Sequence, residues 1–339
     1  MRNNTSFAGF VAAAIAALAL SALSSPAFAA LAPSWVADKN KDYPSSKYIS
    51  AVGEGGTEKK AQAAAVAQVS QLFDTKTDVV TTAAKRFQSV QVAGSMKTVG
   101  SQSLEQITAI SSQAEFFGLR YAPAWYNEKR DTYVVLAYID KQEAAATYKG
   151  YIRTLLDAVY AYREAAQKDA EPFNSVLYMQ KAESLSVLAS QYIRTLGIIE
   201  PAAADGYKAD TEVLNRLGLE NDAYKKQSLF SVRTGGKSAE KFGSLSSAVT
   251  AVLEKRGFTC KESGARYTVV ADISAEELTY EVGPFVKPSL KITVQNAAGT
   301  SLYSYAQAYS RAGGNTTETA YNAAATKIKK DLEANFLPE

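Results

Sequence analysis

Two glycine-containing stretches stand where a phosphate-binding loop could. Gly53-Glu54-Gly55-Gly56 lies between a short apolar run and an alanine-rich amphipathic run. Gly236-Lys237-Ser238 occupies the same kind of place, and Val269-Val270-Ala271-Asp272 downstream has the form of a magnesium-binding strand end. Such loops work because backbone N–H groups at a helix start cradle phosphate oxygens while a lysine neutralises them. Neither stretch completes its pattern. The lysine loop needs a glycine five residues before Gly236, where Ser231 stands. A dinucleotide fingerprint needs a third glycine at position 58, and Glu58 would face the phosphate with a negative charge. The strands after the first helix of that C-terminal region read as hairpins, whereas a nucleotide-binding sheet needs parallel crossovers. The plainer reading is a glycine turn at 236 with Ser238 as a helix N-cap and Lys237 in solvent. The same reading makes Gly53–Gly56 a tight turn that swings a helix back onto a sheet.

The chain contains no histidine. That removes the commonest general base, the usual partner of a nucleophilic serine or cysteine, and the commonest zinc ligand. A carboxylate-based hydrolase remains open in principle, with Glu54 and Glu58 as its pair, provided they face one another across a cleft. No Asp-x-Asp-x-Asp calcium loop and no Cys/His cluster occurs. The single cysteine, Cys260, cannot form an internal disulfide and reads as a small core residue at a strand start. The reading therefore assigns no catalytic residue, no cofactor and no metal.

The elements that would position these residues follow from periodicity. An extended lead-in carries Trp35, which caps a sheet. A strand is expected at 48–52 and a helix at 57–73, with Ala61, Ala65, Val69, Leu72 and Phe73 on its packed face and Thr57 as N-cap. Residues 75–92, rich in Val and Thr, read as a long exposed strand. Residues 101–112 fit strand or helix. The stretches 115–124 and 132–139 pair as a hairpin, joined through Trp125, Tyr126 and a turn at 127–131. From 146 to 226 helical spacing dominates: Tyr148, Ile152, Leu155, Val159 and Tyr162, then Phe173, Leu177, Leu185, Leu188 and Leu196, with Pro172 at a helix start. A shorter helix follows Pro201 and ends near Gly218. Beyond 227 the order reads β-α-β-β-β-β-α. A strand at 228–233 precedes a helix at 239–255 closed by Gly257. Strands at 267–273, 277–282, 290–294 and 301–309 lead to a final helix at 316–336. The fold class is α+β: an N-terminal antiparallel sheet with a packed helix, a middle helical hairpin or bundle, and a C-terminal α+β domain.

The chain opens with a secretory signal peptide. Arg2 supplies positive charge, residues 7–23 are apolar, and Pro26-Ala27-Phe28-Ala29 offers a cleavage site before Ala30. No cysteine follows it, so a lipid anchor at that point is not expected. The domain plan is 1–29 signal peptide, 30–145 α+β, 146–226 helical, and 227–339 α+β. Lys plus Arg total 37 and Asp plus Glu 34, a net charge of +3 that falls to +2 when Arg2 leaves with the leader. That balance, without a basic patch interleaved with aromatics, argues against nucleic acid as a partner. Twenty tyrosines suit half-buried sheet faces and contact surfaces, because one end of the ring is apolar and the other hydrogen-bonds.

One resemblance emerges from motif order. Pro33-Ser34-Trp35, the strand Ile49-Ser50-Ala51-Val52-Gly53-Glu54-Gly55, the alanine-rich helix, Trp125-Tyr126, and Tyr133-Val134-Val135-Leu136-Ala137-Tyr138-Ile139-Asp140 occur in sequence. This order resembles the LPP-twenty lipoprotein family of bacterial envelope proteins and covers about a third of the chain, residues 33–145. The resemblance implies a secreted envelope protein in the periplasm or associated with the outer membrane, with a structural, assembly or scaffolding role. Some relatives are flagellar outer-membrane ring or disk components. It implies envelope or flagellar proteins as partners and leaves peripheral membrane contact and homo-oligomerisation open. Trp35, Trp125 and Tyr126 are the candidate interaction surface. The alternative from a different class is a periplasmic binding module for a peptide, glycan or lipid, which requires a pocket lined by those tryptophans or by tyrosines.

Overall fold

The structure, a computed structural model, describes residues 32–73, 77–90 and 117–337. The leader and its cleavage site, the stretch 101–112, and the ends of several expected segments lie outside those residues. Within them the chain is α+β, as the periodicities require.

After a single turn of helix (α1, Ser34–Ala37), β1 runs Tyr48–Gly55 and α2 runs Glu58–Leu72. Thr57 caps α2 by accepting the Lys60 N–H at 3.3 Å. Ala61, Ala65, Val69 and Phe73 are buried, while Leu72 turns outward. Gly53 and Gly55 lie inside β1, paired with Val135 and Tyr133 of β4, so the strand is longer than expected and the turn falls at residues 56–57. The glycines are there for close approach. A Cβ on Gly53 would stand 2.2 Å from the Ala65 backbone nitrogen, and one on Gly55 2.6 Å from that of Ala61. The helix rests directly on the strand backbone.

The expected strand at 75–92 is instead helix over its described part, α3 (Thr77–Ser89). Ala83, Ala84, Phe87 and Val90 are buried, at the three- and four-residue spacing of one helix face. The β-branched residues at its start misread as a strand because their alternation masked that face.

Two short strands, β2 (Arg120–Tyr121) and β3 (Trp125–Asn127), pair antiparallel with one edge of β4 (Thr132–Asp140), and β1 pairs with the other along its length. Asp140 ends β4 and caps the next helix by accepting the Gln142 N–H at 2.9 Å. Two long helices follow, α4 (Lys141–Lys168) and α5 (Pro172–Ile199). Then come α6 (Pro201–Asp205) and α7 (Lys208–Gln227), which continues past Gly218. Pro172 begins α5 as expected. Ile49, Ala51, Ala137 and Ile139 of the sheet share one core with Val69, Phe87, Leu155, Met179, Leu188 and Leu217 of the helices. The first turn of α5 enters a second core instead: Phe173, Val176 and Leu177 pack with Phe230, Phe258 and Tyr267.

That second core belongs to β5 (Leu229–Gly235), α8 (Leu245–Lys255), β6 (Thr259–Cys260), β7 (Tyr267–Tyr280), β8 (Gly283–Asn296), β9 (Ser301–Ala308), β10 (Ala312–Gly313) and α9 (Thr317–Asn335). The expected helix at 239–255 is broken: a 3-10 turn at Ala239–Phe242 precedes α8, and Gly243-Ser244 separates them. The expected strands at 267–273, 277–282 and 290–294 are two strands joined at Glu281-Val282. Pro284 and Pro288 do not stop β8. Their carbonyls accept Gly314 and Tyr309 N–H groups on the edge away from β7, where a missing proline N–H removes no bond to β7. β5 runs parallel to both β6 and β7, so the region contains one α-helical crossover and is not built from hairpins alone.

Candidate interaction site

The N-terminal sheet brings two of the three expected surface residues together and separates the third. Trp35 of α1 is buried at 5% exposure against Ala122, Val134 and Leu136, and half-buried Trp125 packs against the same cluster. Trp125 pairs with Val134 in register, so both sit on the sheet face away from α2. Tyr126, the next residue along β3, falls on the opposite face by strand alternation. Its ring lies 5.0 Å from that of Tyr133, it is 42% exposed, and its hydroxyl donates to Asp131. That bond is the first cause holding its pKa above the ordinary tyrosine value.

The lead-in strap completes this face. Lys39 Nζ donates to the Ser50 carbonyl at 2.8 Å. Tyr43 meets Tyr48 and Tyr138 at ring-centroid distances of 5.4 and 4.7 Å. Burial, with smaller repulsion from Tyr138, raises the Tyr43 pKa. Aromatic packing covers this face, with Trp35 as an interior residue that closes the sheet and Trp125 at its margin.

The described residues do contain a cleft elsewhere. Between α8 and α9 lies a groove of about 400 Å³. Its floor is Phe242, Leu245 and Ile328, all buried. Its walls are small: Ser247, Ala248 and Ala251 on α8, Ala325 and Thr326 on α9, with Asn322 and Lys329 also lining it. The Thr326 hydroxyl is engaged with the Asn322 carbonyl at 2.9 Å. Neither Trp35, Trp125 nor any tyrosine lines it. No carboxylate lines it either. The arrangement suits a small apolar body with a polar end. The signal available in the sequence is the run of small residues Ser247, Ala248 and Ala251, which the helix reading at 239–255 left unused.

Of the residues that suggested chemistry, Ser238 and Gly236 are tied into the fold and the others stand apart from one another. The Ser238 N–H donates to the Ile273 carbonyl at 3.2 Å and its hydroxyl accepts the Ala275 N–H at 2.9 Å. Ser238 is thus a clamp on the edge of β7, and it makes no side-chain bond to the helical turn that it precedes. Gly236 has φ +96°, and a Cβ there would meet Ile273 at 2.3 Å. The Ala239 and Lys241 N–H groups donate to Gly236 and Ser238 carbonyls, so the loop presents no ring of free donors to a phosphate. Lys237 is exposed. Glu54 lies 3.7 Å from Arg130 at the exposed end of β1, and Glu58 accepts from Gln62 in α2. Cys260 is half-buried, and burial pushes its thiol up to about 11, far from a reactive thiolate. Among the described residues no group of three or more Asp, Glu or Cys could hold a metal ion, and no helix is long and apolar enough to cross a membrane.

No family model matches this chain, and no curated protein matches it. The motif order that resembles the LPP-twenty family therefore has no matching family model behind it. Among solved structures the chain is similar to a minor lipoprotein from Acinetobacter baumannii, at 8% identity and a TM-score of 0.24, covering 33% of this chain and 94% of that one. It is also similar to the secreted protein HP1454 from Helicobacter pylori, at 11% identity and a TM-score of 0.37, covering 85% of this chain and 98% of that one. The structural neighbours are thus a lipoprotein and a secreted protein, and likeness at this level identifies neither the family nor the activity of this chain.

Proposed function

We propose that this chain is a non-catalytic cell-envelope protein that works by assembling with other envelope proteins, flagellum-associated structures among them. The observation that carries the reading is a leader of secretory type on a chain in which Ser238 is spent clamping the β7 edge and Glu54 and Glu58 make separate surface contacts instead of facing one another. The mature protein starts near Ala30 and resides in the periplasm or on the outer membrane, without a lipid anchor. Homo-oligomerisation and peripheral membrane contact are compatible with this role; nucleic acid binding and catalysis are not part of it. Affinity purification of the tagged chain from native envelope fractions tests it. Stable co-purification of envelope proteins, or loss of motility on deletion, is the expected result. A monomer that diffuses freely with no envelope partner sinks the reading.

The groove between α8 and α9 favours a second reading, a periplasmic binding module. Thermal shift with short peptides, glycans and lipids distinguishes it. A ligand-dependent rise in Tm that disappears in Ala251→Trp, which fills the groove, would support binding over assembly. Hydrolase activity abolished by Glu54→Gln would overturn both readings.

A further inference from the structure

Among the described residues the long hairpin of the C-terminal sheet leaves the far end of one strand edge without a partner strand. β7 is paired with β8 from Tyr267 to Tyr280, but β5 covers its other edge only from Tyr267 to Asp272. The Ser238 clamp then occupies the Ile273 carbonyl and the Ala275 N–H. Those two residues fix the phase of the ladder. Odd-numbered residues turn their backbone groups outward here, so Glu277 and Thr279 present N–H and C=O to the open edge. Among the described residues no strand pairs with them. The edge of β8, by contrast, is closed by β9 and β10.

The charge carried by the strand itself is one-sided, while Lys241 of the neighbouring turn lies 6.0 Å from the Tyr321 ring. Residues 267–281 carry Asp272, Glu276, Glu277 and Glu281 and no lysine or arginine. Lys291 and Lys287 lie opposite Asp272 and Glu276, but on the β8 side. Glu277 also accepts the Tyr321 hydroxyl at 2.8 Å, which anchors it at the edge above α9. Exposed sheet edges are commonly guarded by charge against unwanted pairing. Carboxylates on the outermost strand repel a second copy of the same edge, because antiparallel pairing would bring Glu276 and Glu277 close to their own counterparts. The same carboxylates favour a strand that places lysine or arginine opposite them.

We infer that the edge of β7 from Ala275 to Tyr280 is a strand-addition site for an extended, basic segment of a partner protein. The added strand lies end to end with β5, takes its main-chain bonds from Glu277 and Thr279, and sets its basic side chains against Glu276 and Glu277. This deepens the assembly reading and rests on it, since it names the surface and the chemistry of the partner.

Amide hydrogen exchange on the full mature chain tests the site. The probe is a synthetic peptide alternating lysine with valine and threonine; the control replaces each lysine with glutamate. In the free protein the Glu277 and Thr279 amides should exchange without protection. Excess lysine peptide should slow both at least tenfold, and the glutamate peptide should not. Thr279→Pro removes an outward donor while leaving the β8 ladder intact, and should abolish the effect. Protection already present without peptide, no response to the lysine peptide, or equal response to both peptides overturns the inference. So does a Thr279→Pro chain that keeps all its envelope partners, a result that leaves the assembly reading standing. A chain that binds the lysine peptide as described but recovers no envelope protein fails the assembly reading alone.

Discussion

The N-terminal sheet is covered on both faces. α2 lies against the backbone of β1 on one side, and the Trp35 segment is strapped over Val134 and Leu136 on the other. Among the described residues the C-terminal sheet carries α8 and α9 on one face only. Along β8 the pattern is strict: Val286, Leu290, Ile292 and Val294 are buried, while Lys287, Ser289 and Lys291 are exposed. On β7 Asp272, Ser274 and Glu276 are exposed on that same outer face. One sheet is therefore an interior element that supports the long helices, and the other keeps a polar face and an edge available. The open edge and polar face are thus in the second region, although the residues that looked most like a contact surface, the tryptophans, are in the first.

Two substitutions would break the covered half. Trp35→Ala should cost about 3–5 kcal/mol in urea unfolding, because it removes the largest buried side chain of that small cluster. A loss below about 1 kcal/mol would mean that Trp35 is a surface residue and the strap is not packed. Gly53→Ala should cost about 3 kcal/mol, since the new Cβ meets the α2 backbone at 2.2 Å and a helix backbone cannot step aside like a side chain. Gly56→Ala is the internal control. A Cβ there meets nothing within 4 Å, so its effect should be small, as measured by the same unfolding midpoint.

How much of this was legible follows from which physical signals are local. The β4 run from Tyr133 to Ile139, the α2 face apart from Leu72, Pro172 and Gly257 are each set by local spacing or dihedral preference, and they appear where expected. The length of β1 was hidden because glycine reads as a turn residue, whereas Gly53 is extended and serves contact with a helix twelve residues further on. Pro284 and Pro288 hid the unity of β8 in the same way: whether a proline breaks a strand depends on which edge its nitrogen faces, which is a tertiary fact. The unpaired strand edge could not be read at all, and the small residues of α8 gave no sign of what lies opposite them. A groove between two helices and an unpaired strand edge are defined by what is missing beside them.

A pH comparison sharpens the difference between the halves. Lys181 of α5 is buried, its amine donating to the Phe87 carbonyl at 2.8 Å and lying 4.5 Å from the Phe87 ring. Burial lowers its pKa from 10.5 to about 8. The unfolded chain therefore holds a proton that the folded chain has released between pH 8 and 10. Stability from this group rises with pH across that window, and the penalty for burying the ammonium is present in full below pH 8. Wild type should gain on the order of 2 kcal/mol in urea unfolding between pH 7.5 and 9.5 relative to Lys181→Met. Other groups titrate in both chains and cancel in the difference. Equal slopes would place the amine in contact with water or with a carboxylate.

The smallest expected effect tests the open face most directly. Ser289 is exposed at the centre of the outer face of β8, paired with Ser274 on one side and Ala308 on the other. On a solvated sheet face an aromatic residue is accommodated, and β-propensity even favours it. Ser289→Trp should therefore change stability by no more than about 0.5 kcal/mol. The same substitution on a covered face would force a large ring into packed atoms and cost about 1–3 kcal/mol. A large loss would mean that another part of the chain lies over this face, which would make the two sheets alike and confine any contact surface to the β7 edge and the α8–α9 groove. A near-zero change, together with an indole fluorescence maximum typical of water, keeps the face open and the contrast with Trp35 intact.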